Sequence, residues 1–175
     1  LVLQHLQLAV RRPDRRARSG MSEAAHLAGM AINITKTTAA HAISYSMTAR
    51  HGIAHGQAVA LTLGRLVEVN SEVSADNISD PRGCDYVRQN IRDLATLLGC
   101  SDASAARSLI ESLLESVGLQ TRLRAVGITS ASDLDRIAAD TNVERVANNP
   151  RLLSESDVRG LLEASARRRR CLPVG

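Results

Sequence analysis

The sequence predicts an all-α fold, a single helical bundle, on three observations. Hydrophobic residues make up 44% of the 175 residues, yet Phe and Trp are absent and Tyr45 and Tyr86 are the only aromatics. The core must then be aliphatic, built from Leu, Val, Ile and Ala. Leu and Ala are strong helix formers, and proline occurs only four times. Apolar residues also recur at helical spacing, with no strand signal longer than a few residues and no internal repeat. A chain of this length buries roughly 70% of its unfolded surface, enough for one core.

The elements follow in order. Residues 1–10 read as the end of an apolar helix, and 11–18, with Pro13, as a charged connector. Residues 22–33 read as a helix capped by Ser22, and 36–50 as the next. Gly52, in Arg50-His51-Gly52-Ile53, is a helix-stop signal. The helix at 55–70 is apolar nearly all round and therefore expected to be buried. Residues 71–83 are polar, contain Asp80-Pro81 and read as a loop. Amphipathic helices follow at 84–98 and 101–117, the second capped by Ser101. After a loop at Gly118-Leu119 and a turn at Val126-Gly127, helices at 130–140 and 154–166 complete the bundle. The last opens on Ser154-Glu155-Ser156-Asp157, which resembles a capping box. Residues 167–175, led by four arginines, read as a flexible basic tail.

His41 and His55 are the most informative pair. On one unbroken helix they would lie roughly 21 Å apart along the axis, too far to share a metal. The stop at Gly52 instead predicts helix, tight turn, helix, with His41 on the first and His55 opening the second. The backbone then doubles back and both imidazoles converge on one point, where a cation could be held.

In this stretch the chain resembles the iron-containing (group III) alcohol dehydrogenases. The matching pieces are Ala28-Gly29-Met30-Ala31-Ile32-Asn33, His41, the pair His55-Gly56, and the apolar helix from Gln57 to Asn70. The run Ile34-Thr35-Lys36-Thr37-Thr38-Ala39-Ala40-His41-Ala42-Ile43-Ser44-Tyr45 looks most like the phosphonoacetaldehyde reductase branch. Further on, Asn148-Asn149-Pro150-Arg151 is similar to the Asn-Pro-Arg element before the family's last helix. One departure is Ala54, where the family usually has proline before the second histidine.

The resemblance implies the helical C-terminal domain of a metal-dependent alcohol dehydrogenase or aldehyde reductase, perched on an Fe2+ or Zn2+ ion and using NAD(P)H. His41 and His55 would be metal ligands. Tyr45, one helical turn after His41, would line the catalytic pocket, and Ile32 would contact the cofactor ring. Lys36, Thr37 and Thr38 could bind a phosphonate by charge and hydrogen bonds. Each has an ordinary structural alternative: a hydrogen-bonded imidazole, a packed tyrosine, a core isoleucine, a solvated lysine. The eleven glycines are scattered singly, so no phosphate-cradling glycine loop is present. The Asp-x-x-x-His pair that supplies two further family ligands is also missing, since Leu1 precedes His5 and Ser22 precedes His26 at the required spacing. The expectation is one helical metal-binding domain over 1–175 without its nucleotide-binding half, inactive alone. Its substrate would be a small aldehyde or alcohol, its partner the missing N-terminal half, and a homo-oligomer is compatible with it.

Two other functions compete. The net charge is +4, with five arginines between Arg11 and Arg18 and the run from Arg167 to Arg170, which suits a nucleic-acid-binding domain. The near absence of aromatics for base stacking argues against that reading. A non-catalytic helical interaction module is the second. Cys84, Cys100 and Cys171 form no close pair, an odd count that points to a reducing, cytoplasmic interior. No run approaches the length of a membrane span.

Overall fold

The computed structural model describes residues 1–141 and 146–166. The tail expected at 167–175, Cys171 included, lies outside the described residues. The elements are α1 (Val2–Arg11), α2 (Arg15–Thr35), α3 (Ala39–His51), α4 (His55–Ser71), α5 (Cys84–Leu97) and α6 (Ala103–Ser116). A 3-10 turn (Leu123–Val126), α7 (Ala131–Ala139) and α8 (Glu155–Ala166) follow. Among the described residues the β pairing is one isolated bridge, between Ile78 and Arg151.

The apolar helix α4 runs through the middle, packed against α3, α5, α6 and α8. Its Ala58, Leu61 and Leu66 join Ile43 and Met47 of α3, Ile137 of α7 and Leu162 of α8 in the main core. Ile43, Met47, Ile137 and Leu162 are completely buried, and each such side chain is worth about 2 kcal/mol. A second, smaller core joins Val67 of α4 to Ala95 of α5 and Ala106 of α6. Along the α4–α6 seam the Glu68 carboxylate accepts from Arg65 and Arg107, both at 2.7 Å. Burial pushes its pKa up, but the two guanidinium groups prevail and hold it below the usual carboxylate range.

The helices α1 and α2 form a hairpin beside this bundle. No residue of α1 is buried, and in α2 only Ala17 and Gly20 are. The two helices approach closely at Gly20, where a Cβ would stand 2.2 Å from the His5 ring. Arg11 Nε ties the hairpin to the end of α6, donating to the Ser116 carbonyl at 2.8 Å. The far part of α2 leaves Leu27, Met30 and Ile34 exposed at helical spacing.

Several boundaries differ from the sequence expectation. Helix α2 starts at Arg15, not residue 22, and its cap is Asp14, whose side chain accepts from the Ala17 N–H at 2.7 Å; Ser22 lies inside the helix. Pro13 ends α1, and nothing after Asp14 breaks a helix, so the charged connector shrinks to a tight corner. Asp102 rather than Ser101 caps α6, accepting from the Ala105 N–H at 2.8 Å. Helix α3 begins at Ala39, which leaves Lys36 and Thr37 in the junction and Thr38 at the N-cap. The start of α8 does form the reciprocal cap, with Asp157 N–H donating to Ser154 Oγ and Ser154 N–H to Asp157 Oδ2.

Candidate metal centre

The site is assembled by the α3–α4 turn. Gly52 ends α3 in the left-handed region (φ 66°), and its N–H donates to the Thr48 carbonyl at 3.1 Å. A side chain would be strained there, and glycine is not. Three residues later His55 opens α4, so the chain reverses direction between the two histidines. Their ring centroids lie 5.6 Å apart with planes at 61°. The sequence places them fourteen residues apart, and the turn brings them together.

Tyr45 completes the cluster, its ring 5.4 Å from that of His55 and tilted by 32°. It is 46% exposed, so this face of the cluster is open. Beneath it sits Ser44, fully buried, whose hydroxyl donates to the His41 carbonyl at 2.7 Å and lies 3.2 Å from His55 Nδ1. Burial pushes the His41 imidazole pKa down, and the neighbouring His55 lowers it further. Both effects favour the uncharged ring, the form that ligates metals. Two imidazoles at this separation suit two positions on a divalent iron or zinc. Among the described residues no group of three His, Cys, Asp or Glu side chains gathers to hold a metal.

The cleft that takes in other candidate residues includes neither histidine. Lys36 and Thr38 line this cleft of about 650 Å³, whose far wall carries Ser79, Arg82 and Tyr86. Arg82 is paired with Asp80 at 2.7 Å and stacks 4.1 Å over the Tyr86 ring, whereas no ion pair engages Lys36 among the described residues. Lys36 adopts φ 60°, the only non-glycine described at positive φ. Asn148, which in the sequence has no role beyond the Asn-Pro-Arg resemblance, braces that turn: its amide donates to the carbonyls of Thr35 and Thr37, both at 2.9 Å. Ile32 stays out of the core, 45% exposed on the last turn of α2. His26 is exposed, and His51 faces Asp133 at the opposite end of α3. Neither joins the pair. Ser44 was the other residue missed; its one signal is a hydroxyl three positions after His41 on the same helix.

The pattern that describes the C-terminal region of the Fe-containing alcohol dehydrogenase family matches residues 1–166. The chain belongs to the iron-containing alcohol dehydrogenase family. Phosphonoacetaldehyde reductase of Streptomyces viridochromogenes is 38% identical over 155 residues, covering 86% of this chain and 37% of that protein. Alcohol dehydrogenase 4 of Schizosaccharomyces pombe is 31% identical over 131 residues, covering 73% of this chain and 28% of its own length. This member of the family thus spans about a third of the curated relatives it matches. Among solved structures, sulfoacetaldehyde reductase from Bifidobacterium kashiwanohense in complex with NAD+ superposes with a TM-score of 0.77. It is 26% identical and matched over 94% of this chain and 40% of that one. A 1,3-propanediol oxidoreductase shares the fold, with a TM-score of 0.74 at 23% identity, over 94% of this chain and 42% of its own. The all-α expectation and the family resemblance both hold. No described helix is long and apolar enough to cross a membrane.

Proposed function

We propose that this chain is the metal-holding part of an NAD(P)H-dependent aldehyde reductase whose substrate carries a small anionic group, phosphonoacetaldehyde or a close analogue. The observation that carries the reading is the convergence of His41 and His55 across the Gly52 turn. A bound Fe2+ or Zn2+ would polarise the substrate carbonyl, and a nicotinamide would supply the hydride.

The chain's own residues have distinct tasks in this reading. His41 and His55 offer imidazole nitrogen donors. Tyr45, open to solvent beside His55, would line the pocket that takes the aldehyde. Lys36 and Thr38 present an ammonium and a hydroxyl to the cleft, where a phosphonate or sulfonate would be held, with Thr37 in the same braced turn. Ile32, exposed near the end of α2, would lie against the nicotinamide, and the exposed Leu27, Met30 and Ile34 face the portion that binds the rest of that cofactor. The relatives named for reducing phosphonoacetaldehyde and sulfoacetaldehyde support an anionic aldehyde.

Cobalt(II) titration followed by visible absorption tests the metal site on the chain as it stands. We expect binding by the wild type and its loss in His41→Ala and His55→Ala. Alone, the chain should not reduce phosphonoacetaldehyde with NAD(P)H. Added nucleotide-binding portion of the Streptomyces relative should restore turnover. No cobalt signal in the wild type would overturn the reading.

A further inference from the structure

We propose that Ser44 is a positioning residue that fixes His55 as its Nδ1–H tautomer, leaving Nε2 as the nitrogen that meets the metal. This rests on the metal reading above and assigns a role to a side chain outside the ligand pair.

The assignment follows from counting protons. Ser44 Oγ makes two short contacts, one to the His41 carbonyl oxygen at 2.7 Å and one to His55 Nδ1 at 3.2 Å. A carbonyl oxygen can only accept, so two oxygens at 2.7 Å require the hydroxyl hydrogen between them. That hydrogen is the only one the hydroxyl has. With it committed, the hydroxyl can only accept from His55, and Nδ1 must carry the proton. A neutral imidazole has one N–H, so Nε2 keeps its lone pair. The buried Ser44 is fully enclosed, so no solvent molecule competes for the hydroxyl at this point.

The arrangement also explains why the serine sits where it does. Its bond to the carbonyl three residues back is local to α3, while its bond to His55 reaches across the turn to α4. One hydroxyl thus sets the orientation of the second histidine from the backbone of the first. Partners of this kind hold a ligand imidazole's ring and tautomer, and their loss typically weakens metal affinity about ten- to a hundredfold.

The test has two readouts on the full chain. Long-range ¹H–¹⁵N correlation of the metal-free wild type reports which His55 nitrogen is protonated, and we expect Nδ1. In Ser44→Ala the ring should populate Nε2–H, and cobalt(II) affinity should fall about ten- to a hundredfold. Ser44→Thr, which keeps the hydroxyl, should recover both, and thermal melts identify a variant that has failed to fold. An Nε2–H tautomer in the wild type overturns the proposal, as does unchanged tautomer and cobalt affinity in a folded Ser44→Ala. A wild type that shows Nδ1–H yet binds no cobalt instead overturns the metal reading, so the two failures are told apart.

Discussion

Asn70 and Asn149, seventy-nine residues apart in sequence, exchange side-chain amide hydrogen bonds in the buried interior. Asn70 Nδ2 donates to Asn149 Oδ1 at 3.2 Å, and Asn149 Nδ2 donates back to Asn70 Oδ1 at 2.9 Å. The same Asn149 amide also donates to the Arg151 carbonyl at 2.7 Å, and Arg151 Nη1 to the Val69 carbonyl at 3.0 Å. The end of α4 is thereby clamped to the segment that carries Asn148, and Asn148 in turn holds the Lys36 turn. A polar chain links the central helix to the wall of the cleft.

Asn149→Ala strands the Asn70 amide in the interior, where a buried group without a partner costs about 1–3 kcal/mol. We expect a loss of about 2–3 kcal/mol in urea unfolding followed by far-UV circular dichroism. Removing both amides together, as Asn70→Leu with Asn149→Leu, should cost less than the sum of the single changes, because no orphaned amide is left. An additive double mutant would show that the two side chains do not act as a pair.

Gly52 has open space around it, so a side chain there meets no atom and the cost is backbone strain alone. Gly52→Ala should lose about 1–2 kcal/mol, and Gly52→Asn less, because asparagine tolerates the left-handed region. Since this turn sets the separation of the histidines, cobalt(II) affinity should fall in the same order. Equal affinity across the three proteins would mean that the turn does not govern the pair.

Gly20 makes a prediction whose sign depends on a second residue. In mid-helix, Gly→Ala gains about 1 kcal/mol of helix propensity. Here the new methyl would run into the His5 ring, displacing it and loosening the α1–α2 hairpin. With His5 present, Gly20→Ala should destabilise by about 1 kcal/mol; in a His5→Ala background it should stabilise by about the same amount. Thermal melts of the four proteins of this cycle check the inversion.

The His41 imidazole gives the chain a pH response with a defined sign. Its folded pKa lies below the ordinary value of about 6.5. The unfolded chain therefore takes up a proton first as the pH falls, so stability is full above that value and declines as the pH drops below it, levelling off beneath the folded pKa. Glu68 and Asp140, both held below their ordinary range by arginine partners, begin to lose stability only at lower pH. Urea midpoints between pH 8 and pH 5 should fall for the wild type and stay flatter for His41→Gln. A flat wild-type profile across that window would show that burial does not disfavour the charged ring.

What the sequence disclosed and what it hid divide along the range of the interaction. The Gly52 stop, the burial of α4 and the cap at Ser154 are set by neighbours a few residues away, and all were legible. The start of α2 was misplaced because two good caps compete; Asp14 wins because it follows the proline corner, and Gly20, which looks like a weak point in a helix, is stabilised by His5 packing from another helix. Ser101 and Asp102 are adjacent cap candidates; in the fold Asp102 accepts from the Ala105 N–H and Ser101 donates to Asp102. The roles of Ser44 and Asn148 were hidden, since each acts on a residue that only the folded chain brings near.

At Lys36 two properties conflict. Its backbone sits at φ 60° and ψ −172°, a region that costs a non-glycine residue about 1–3 kcal/mol, and the Asn148 amide braces both flanking carbonyls. Strain of this kind persists where the surroundings enforce it, and it is retained where a side chain has work to do. Lys36→Gly should relieve it and stabilise the chain by about 1 kcal/mol, net of the flexibility that glycine adds to the unfolded state. In enzyme reconstituted with the nucleotide-binding portion, the same change should raise KM for phosphonoacetaldehyde about tenfold or more, the loss of one charge-assisted contact, and leave KM for propionaldehyde nearly unchanged. A variant that is more stable yet keeps its KM for the anionic aldehyde would remove Lys36 from substrate recognition and leave the strained turn without a function.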